Sequence, residues 1–349
     1  MTFNGPVGVL DYVSITEGSS AHEAIERSIA LAQHVEALGY RRHWFSEHHN
    51  TRSLACTAPE LIITRIAAET STLRVGAGGI MLPNHSPLKV AETFHTLEAM
   101  FPGRIDLGLG RAPGTDGITA LALRRSRQAV LADDFPSQAA ELFAFLGWGD
   151  GFPDDHAFSK VVAAPDVPTR PEIWMLGSSD YGARFAAVNG LATAFAHQIN
   201  PEPAVDVLRA YRRDFRPSAW QPEPRALLST NAFASHDPDE VREFEAFWTL
   251  SMTKIRRGER TPTSLAEARE FAASPRYAQA QATMGRRLFA GAPAEVADGL
   301  RRLASDAGAD ELMIVTPAAD HDARLRSYEL LAGELGLEAP MVAAGGAVA

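Results

Sequence analysis

Three ionisable residues, Glu47, His48 and His49, follow one another directly after a short aromatic run. Such a group can be a metal site, an acid–base pair or part of a solvated loop. Neighbouring residues at the end of a strand point to opposite faces, so two adjacent histidines are poorly placed to ligate one metal. An imidazole titrates at about pH 6.5 and can exchange a proton under neutral conditions. The pattern therefore disfavours a metal site and leaves an acid–base pair or a structural, hydrogen-bonded histidine, of which the structural role is the commoner for a single histidine.

Glycine is concentrated in the run from residue 74 to 81, where Gly76, Gly78 and Gly79 fall within four positions. Glycine weakens a strand, so this density needs a reason. One reason is the close approach of a flat ligand to the backbone. The other is a bulge or a tight corner of the sheet, and the segment alone favours neither.

Two further segments have the composition of a phosphate site. Arg111 stands among small residues after an apolar run, and a guanidinium there suits a phosphate or a carboxylate. The turn Gly177-Ser178-Ser179 precedes a helical pattern and offers N–H and hydroxyl donors. Taken singly, a salt bridge of Arg111 or an ordinary helix N-cap explains each segment equally well.

The combination of these segments is more specific than either part. If Arg111 and the serine turn end neighbouring parallel strands, they face one sector and form a phosphate cradle beside a glycine-lined strand. Flavin mononucleotide (FMN) has both the phosphate and the flat ring that such a site would hold. The chain has no glycine-rich lysine loop of the kind that binds nucleoside triphosphates.

Strand-like and helix-like patterns alternate along the chain and supply the framework for these residues. Eight strand–helix units favour a closed (β/α)8 TIM barrel of the α/β class over a doubly wound sheet, because no glycine-rich dinucleotide turn follows the first strand. The surplus residues fall after the fourth and seventh strands. We expect one domain over residues 1–340 and a disordered tail at 341–349. The predicted strands are 7–11, 42–45, 74–81, 105–109, 173–176, 191–196, 226–234 and 312–315.

Composition narrows the function classes. The chain has 349 residues, with 33 basic and 43 acidic side chains and a net charge of −10. This balance argues against nucleic acid or an anionic membrane surface as the main partner. The single cysteine, Cys56, cannot form an internal disulfide and fits a reducing compartment. With no apolar run long enough to span a bilayer and no basic start of a secretory signal, we expect a cytoplasmic protein.

The sequence resembles the bacterial luciferase-like flavin monooxygenases, and in particular their small oxidoreductases of unassigned substrate. The similarity covers most of residues 5–235 and the final strand–helix unit. The stretches that carry it lie at residues 9–12, 44–50, 74–85, 102–116 and 174–179.

The resemblance implies an oxidoreductase that binds FMN in a (β/α)8 barrel. It implies that His48 lies near the reactive flavin face and that a cis peptide joins Gly78 to Gly79 beneath the ring. The phosphate would be held by Arg111 and by the turn after the fifth strand. Gly110 replaces the cysteine of light-emitting members, so luminescence is not expected. The implied phosphate-binding turn comprises Gly177, Ser178, Ser179 and Tyr181.

The same resemblance implies a two-component monooxygenase. Reduced FMN would come from a separate flavin reductase, react with O2 through a flavin hydroperoxide and oxygenate a small organic substrate, in a homodimer. No metal is expected. Three alternatives stay open at this point: a deazaflavin-dependent oxidoreductase, a flavin-binding protein without turnover, and a metal-dependent barrel hydrolase that uses His48 and His49.

Overall fold

The protein is described by a computed structural model that covers residues 3–339. The tail predicted at 341–349 lies outside the described residues. Within residues 3–339, no helix is long and apolar enough to cross a membrane.

Eight parallel strands close into a barrel, which confirms the predicted (β/α)8 fold. They pair in the order β1-β2-β3-β4-β5-β6-β7-β9, and β9 returns to pair with β1. Closure leaves the ring without an open edge, and the carboxyl ends of all eight strands meet at one face. The strands are β1 (Val7–Asp11), β2 (Arg42–Phe45), β3 (Arg74–Met81), β4 (Ile105–Gly110), β5 (Glu172–Gly177), β6 (Ala192–Ala196), β7 (Ala226–Ala234), β8 (Leu288–Gly291) and β9 (Glu311–Val315).

Helices surround the barrel and bury one face against it. Their ends follow local sequence signals: Ser20 and Glu23 form a capping box at the start of α1, and Gly190 ends α7 in a left-handed conformation. The helices are α1 (Ala21–Ala37), α2 (Pro59–Glu69), α3 (Pro87–Met100), α4 (Gly117–Arg124), α5 (Arg127–Leu131), α6 (Phe135–Phe145), α7 (Asp180–Asn189), α8 (Ala204–Asp214), α9 (Pro238–Arg256), α10 (Leu265–Ala272), α11 (Arg276–Met284), α12 (Pro293–Ala307) and α13 (His321–Leu335).

The lower half of the barrel interior is filled by charged and aromatic side chains. Arg42 donates to Asp106 at 2.5 Å and to Glu311 at 2.8 Å, and all three side chains are buried. The indole nitrogen of Trp44 donates to the same Asp106 carboxylate at 2.7 Å, and its ring meets Trp174 edge to face. Buried charges are tolerated when they are paired, as they are here. The network closes the barrel interior beneath the carboxyl face.

One strand was not predicted from the sequence. Residues Leu288–Gly291 form β8, which pairs only with β7 and lies outside the ring. The strand has only four residues, all half-buried, and lies at the lower limit of length at which an apolar run indicates a strand. The insertions were predicted correctly: α4, α5 and α6 follow β4, and α9, α10 and α11 follow β7.

Candidate active site

A cavity of about 360 Å³ opens at the carboxyl face of the barrel, within the size range of ligand pockets. Its floor includes Trp44 and Met313 from the interior. Every residue of the predicted site except Gly79 lines this cavity, so residues far apart in the sequence come together there. The predicted residues in its wall are His48, Gly78, Arg111, Gly177, Ser178, Ser179 and Tyr181.

His48 is held in the wall by one hydrogen bond and one ring contact. Its Nδ1 lies 2.9 Å from the Ser46 hydroxyl, and its ring meets Tyr12 edge to face at 6.0 Å between centroids. Nε2 makes no hydrogen bond with any residue in the range 3–339. Burial lowers the pKa of His48, although the charge of Glu47 opposes this effect. The imidazole is therefore neutral at neutral pH, with one nitrogen free.

Tyr12 contributes a second polar group to the cavity. Burial raises the pKa of its hydroxyl to about 12, although the neighbouring Gln198 side chain opposes this effect. The phenol consequently stays protonated and can donate a hydrogen bond. Neither residue was singled out in the sequence, since a tyrosine or a glutamine in isolation has no distinctive spacing.

Glu47 anchors two histidines from different loops. Its Oε1 lies 2.8 Å from His49 Nε2 and 2.9 Å from His85 Nε2, and its Oε2 accepts from the Met81 backbone at 2.9 Å. Burial alone would raise the pKa of Glu47, but the hydrogen bonds and charge of His85, with those of His49 and Met81, lower it. Burial alone would lower the pKa of His85, but the hydrogen bond with Glu47 and the negative charge of Glu47 raise it.

This arrangement gives His48 and His49 different partners, as predicted, but not for the predicted reason. Strand alternation does not apply, because β2 ends at Phe45 and the histidines follow in an irregular segment. His85 was not recognised from the sequence as a partner of Glu47. Within residues 3–339, no group of three or more His, Cys, Asp or Glu side chains is placed to hold a metal ion.

The glycine-rich strand combines the two explanations that the sequence left open. The pairing of β3 with β4 shifts register between Ala77 and Ile80, which is the expected irregularity. Gly78 also lines the cavity, where a Cβ would come within 3.1 Å of the Trp44 side chain. The peptide between Gly78 and Gly79 is cis, as predicted. Gly79 has no room for a side chain, since a Cβ would lie 2.6 Å from the Gly108 carbonyl oxygen.

Arg111 extends from the end of β4 toward the first turn of α7. Its guanidinium carbon lies 3.8 Å from the centre of the Tyr181 ring. Within residues 3–339 the side chain forms no hydrogen bond and no ion pair, so its donors are available. The salt bridge that was the alternative explanation for this arginine is therefore not formed with the described residues.

The serine turn connects β5 to α7 beside this arginine. Ser179 is the N-cap residue of α7, in an extended conformation, and its side chain makes no capping hydrogen bond. Strand and helix approach closely, because a Cβ on Gly182 would lie 2.9 Å from the Leu176 carbonyl oxygen. The first N–H groups of α7 and two serine hydroxyls thus face the same sector as Arg111, which is suited to an anion.

A second cavity of about 470 Å³ adjoins the first and was not predicted. Tyr12, His48 and Ile199 line both cavities, so the two spaces meet at these residues. The outer wall comes from α9 and from the segment that follows it, residues 258–263. Sequence patterns do not show which distant loops meet, and this cavity is built almost entirely from such loops.

Comparison with known proteins assigns this chain to a family. The family model described as luciferase-like monooxygenase matches residues 6–311. The luciferase-like monooxygenase of Escherichia coli K12 is 41% identical over 92% of this chain and 94% of its own length. The N-acetyl-S-alkylcysteine monooxygenase of Bacillus subtilis is 33% identical over 93% of this chain and 96% of its own length.

Solved structures agree with this assignment. The crystal structure of apo-MsnO8 is 35% identical, with a TM-score of 0.87, and the match covers 96% of this chain and 99% of that one. Two structures share the fold at low identity. One is the oxygenating constituent of 3,6-diketocamphane monooxygenase of Pseudomonas putida in complex with FMN (18%, TM-score 0.70, 95% and 97% covered). The other is an F420-dependent secondary alcohol dehydrogenase (15%, TM-score 0.66, 95% and 99% covered).

Proposed function

The chain belongs to the luciferase-like monooxygenase family, and on that basis we propose that it uses reduced FMN and O2 to oxygenate a small organic substrate. The observation that carries the choice of cofactor is the convergence of two different features on one cavity. Anion-binding groups stand at its side, and Gly78 of β3, which has no side chain, lines its wall.

The anion-binding groups fit the phosphate of FMN. Arg111 has no competing carboxylate among the described residues, and Tyr181 holds its guanidinium by a ring contact. Ser178 and Ser179 add hydroxyl groups at the N-terminus of α7, where the helix dipole also favours a negative charge. A phosphate can therefore be bound by Arg111 and the N-terminus of α7 without breaking any existing ion pair among the described residues.

The glycine wall fits the ring system. A side chain at Gly78 would contact Trp44, so the backbone itself forms this part of the wall and a flat molecule can lie against it. Trp44 and Met313 close the cavity from below, in contact with the buried ionic floor. Such a wall excludes water from one face of the ring.

When held by Arg111 and the serine turn, reduced FMN would supply the electrons that activate O2. The protein itself would position the cofactor and the substrate, exclude water, and hold or transfer a proton. His48 presents its free Nε2 to the cavity, while Ser46 fixes the orientation of the ring. Tyr12 offers a hydroxyl donor from the same wall. These two groups can hold or pass a proton at an oxygen atom placed between the two cavities.

Three further proposals concern partners and location. We propose that a separate flavin reductase supplies reduced FMN, that the protein is a homodimer, and that it works in the cytoplasm. Family membership and the single cysteine, buried as Cys56, support these proposals. Sedimentation of the purified protein tests the dimer, and a mass corresponding to one chain would overturn it.

The test of the proposed function compares cofactors first and turnover second. FMN, riboflavin and F420 are titrated separately, and FMN should bind most tightly. Tighter binding of F420 would instead assign the chain to the deazaflavin branch. The complex with reduced FMN is then mixed with O2. Release of hydrogen peroxide as fast as from free reduced FMN would show a binding protein without oxygenase chemistry.

A further inference from the structure

We propose that the second cavity is the substrate site and that its ligand is an uncharged, mainly apolar molecule of roughly bicyclic size. This inference rests on the proposed function, because it takes the first cavity as the flavin site. It adds a substrate class, which neither the family nor the flavin site specifies.

The junction places a ligand of the second cavity beside the proposed reaction centre. Tyr12, His48 and Ile199 line both spaces, so a molecule in the second cavity has direct contact with the first. A volume of about 470 Å³ suits a small organic molecule rather than a polymer. The position and the volume are those required for a second reactant.

Large apolar side chains dominate the wall. Helix α9 contributes Phe247, Trp248 and Met252, and the opposite side includes Leu54 and Ala318. Phe247 and Trp248 are almost fully buried, so their positions are fixed by packing within the protein. Apolar area removed from water contributes about 25 cal/mol per Å², which makes this wall a favourable surface for hydrocarbon or aromatic groups.

The cationic side chains in this wall are already ion-paired. Lys254 Nζ donates to Glu267 at 2.8 Å, and Arg260 Nη2 donates to Asp116 at 2.5 Å. Arg260 also donates to the Asn50 carbonyl oxygen at 2.9 Å. A carboxylate ligand would have to break one of these pairs and leave a carboxylate of the protein without its partner, which is costly.

The other charged groups lead to the same conclusion. His49 also lines this cavity, but its Nε2 lies 2.8 Å from Glu47. Glu259 adds an exposed carboxylate at the rim, which repels anions. Among the described residues of this wall, no arginine or lysine is left unpaired. An anionic ligand therefore finds no unpaired cationic side chain in this wall, whereas an uncharged ligand needs none.

Two polar groups lie where the cavities meet. They are the His48 imidazole, whose Nδ1 lies 2.9 Å from the Ser46 hydroxyl, and the Tyr12 hydroxyl. A ligand that bonds either group through its own polar atom would turn that atom, and the carbon next to it, toward the first cavity.

Matched pairs of probes test the charge preference in protein without FMN. 2-Acetonaphthone and 2-naphthoate share a ring system and differ in charge. N-acetyl-S-benzylcysteine methyl ester and its free acid form a second pair, chosen because a relative is named for N-acetyl-S-alkylcysteine. Calorimetry at neutral pH should show each neutral probe binding at least about 10-fold more tightly than its anion, because the anion is desolvated without a partner. Equal or tighter binding of either anion would overturn the proposal.

Two variants that fill the cavity test its location. Ser251→Trp introduces a large ring from α9, and Ala318→Phe introduces one from the opposite wall. Arg256→Trp is the matched control, since Arg256 is exposed on the same helix and does not line this cavity. Either filled variant that folds should weaken 2-acetonaphthone about 10-fold or more, while the control should not. Unchanged binding in both folded variants would exclude this cavity.

The affinity for FMN distinguishes a failure of this inference from a failure of the proposed function. All variants are titrated with FMN alongside the neutral probe. If wild-type protein fails to bind FMN but binds the ketone in the second cavity, the proposed function is wrong and the neutral site stands. If FMN binds normally and the ketone does not bind, this inference alone is wrong.

Discussion

Arg111 and Tyr181 are 70 positions apart in the sequence, and 3.8 Å separates the guanidinium carbon from the ring centre. The contact joins the two parts of the proposed phosphate site. The contact fixes the arginine at the end of β4 without using its hydrogen-bond donors. Cation–π contacts at exposed sites contribute about 0.5–1 kcal/mol, enough to bias a rotamer and too little to compete with a phosphate. Arg111 is thus preorganised toward the N-terminus of α7.

We expect Arg111→Ala to weaken FMN about 10-fold or more and to leave riboflavin nearly unchanged, because a hydrogen bond to a charged group contributes about 1.5–3 kcal/mol. The measurement is fluorescence quenching of each ligand on titration with protein. Arg184→Ala is the control. Arg184 is exposed on α7, pairs with Asp180 and does not line the cavity. Equal losses for FMN and riboflavin would show that Arg111 does not meet the phosphate.

A second prediction concerns the close packing of β3 and β4. A Cβ on Gly108 would lie 2.2 Å from the Ala77 carbonyl oxygen, so Gly108→Ala must separate two backbones. We expect a loss of about 1–3 kcal/mol in the free energy of unfolding, as for other overpacked cores. Gly117→Ala is the control, because a Cβ there meets nothing within 4 Å at the start of α4.

The control substitution should be neutral or should stabilise the protein by up to about 1 kcal/mol, since alanine restricts the unfolded chain. Urea denaturation of both variants provides the comparison. If Gly108→Ala unfolds at the wild-type midpoint, the strands are not packed as tightly as this structure shows.

The barrel, and the position of Arg111 beside the turn after β5, could be predicted from sequence for the same physical reason. Parallel strands buried on both faces leave continuous apolar runs, and their carboxyl ends converge, so Arg111 and the Ser178 turn could be placed together before the fold was known. Strand β8 could not be found this way, because its four half-buried residues pair with only one neighbour.

The contacts that were missed join loops rather than strands. The hydrogen bond from His85 to Glu47 and the ion pair from Arg260 to Asp116 each connect segments whose spacing in sequence carries no periodic signal. Loop geometry depends on packing in three dimensions, which single-sequence patterns do not encode. The second cavity follows from those loops and was missed with them.

A third prediction uses the Glu47–His85 pair. The pKa of His85 is raised above 6.5 in the folded protein, so its contribution to stability is complete below that pH and is lost as the pH rises through the folded pKa. The pKa of Glu47 is lowered below 4.5, so its contribution is lost as the pH falls through the folded pKa. The pair therefore stabilises most between about pH 4.5 and pH 6.5.

His85→Gln keeps a hydrogen-bond donor but removes the titratable charge. We expect it to lower the free energy of unfolding by about 1 kcal/mol within that window, a discounted value because a third of the His85 side chain is exposed. The difference from wild type should shrink at alkaline pH. Thermal unfolding across pH measures it, with His22→Gln, an exposed position on α1, as the control. A difference that grows toward alkaline pH would contradict the assigned charge pair.

The last prediction separates His48 from His49. His48 lines both cavities and its Nε2 has no hydrogen-bond partner within residues 3–339, whereas His49 is bound to Glu47, so of these two histidines His48 is the one placed to act on an oxygen at the junction. We expect His48→Ala to retain FMN binding but to slow oxygenation about 100- to 10,000-fold and to release hydrogen peroxide instead, as loss of a positioned acid–base group does. His49→Ala should mainly lower stability, because buried Glu47 loses a partner. Stopped-flow absorbance after the reduced FMN complex meets O2, together with peroxide yield, provides the measurement. If His49→Ala shortens the transient and His48→Ala leaves it unchanged, the roles of the two histidines are reversed.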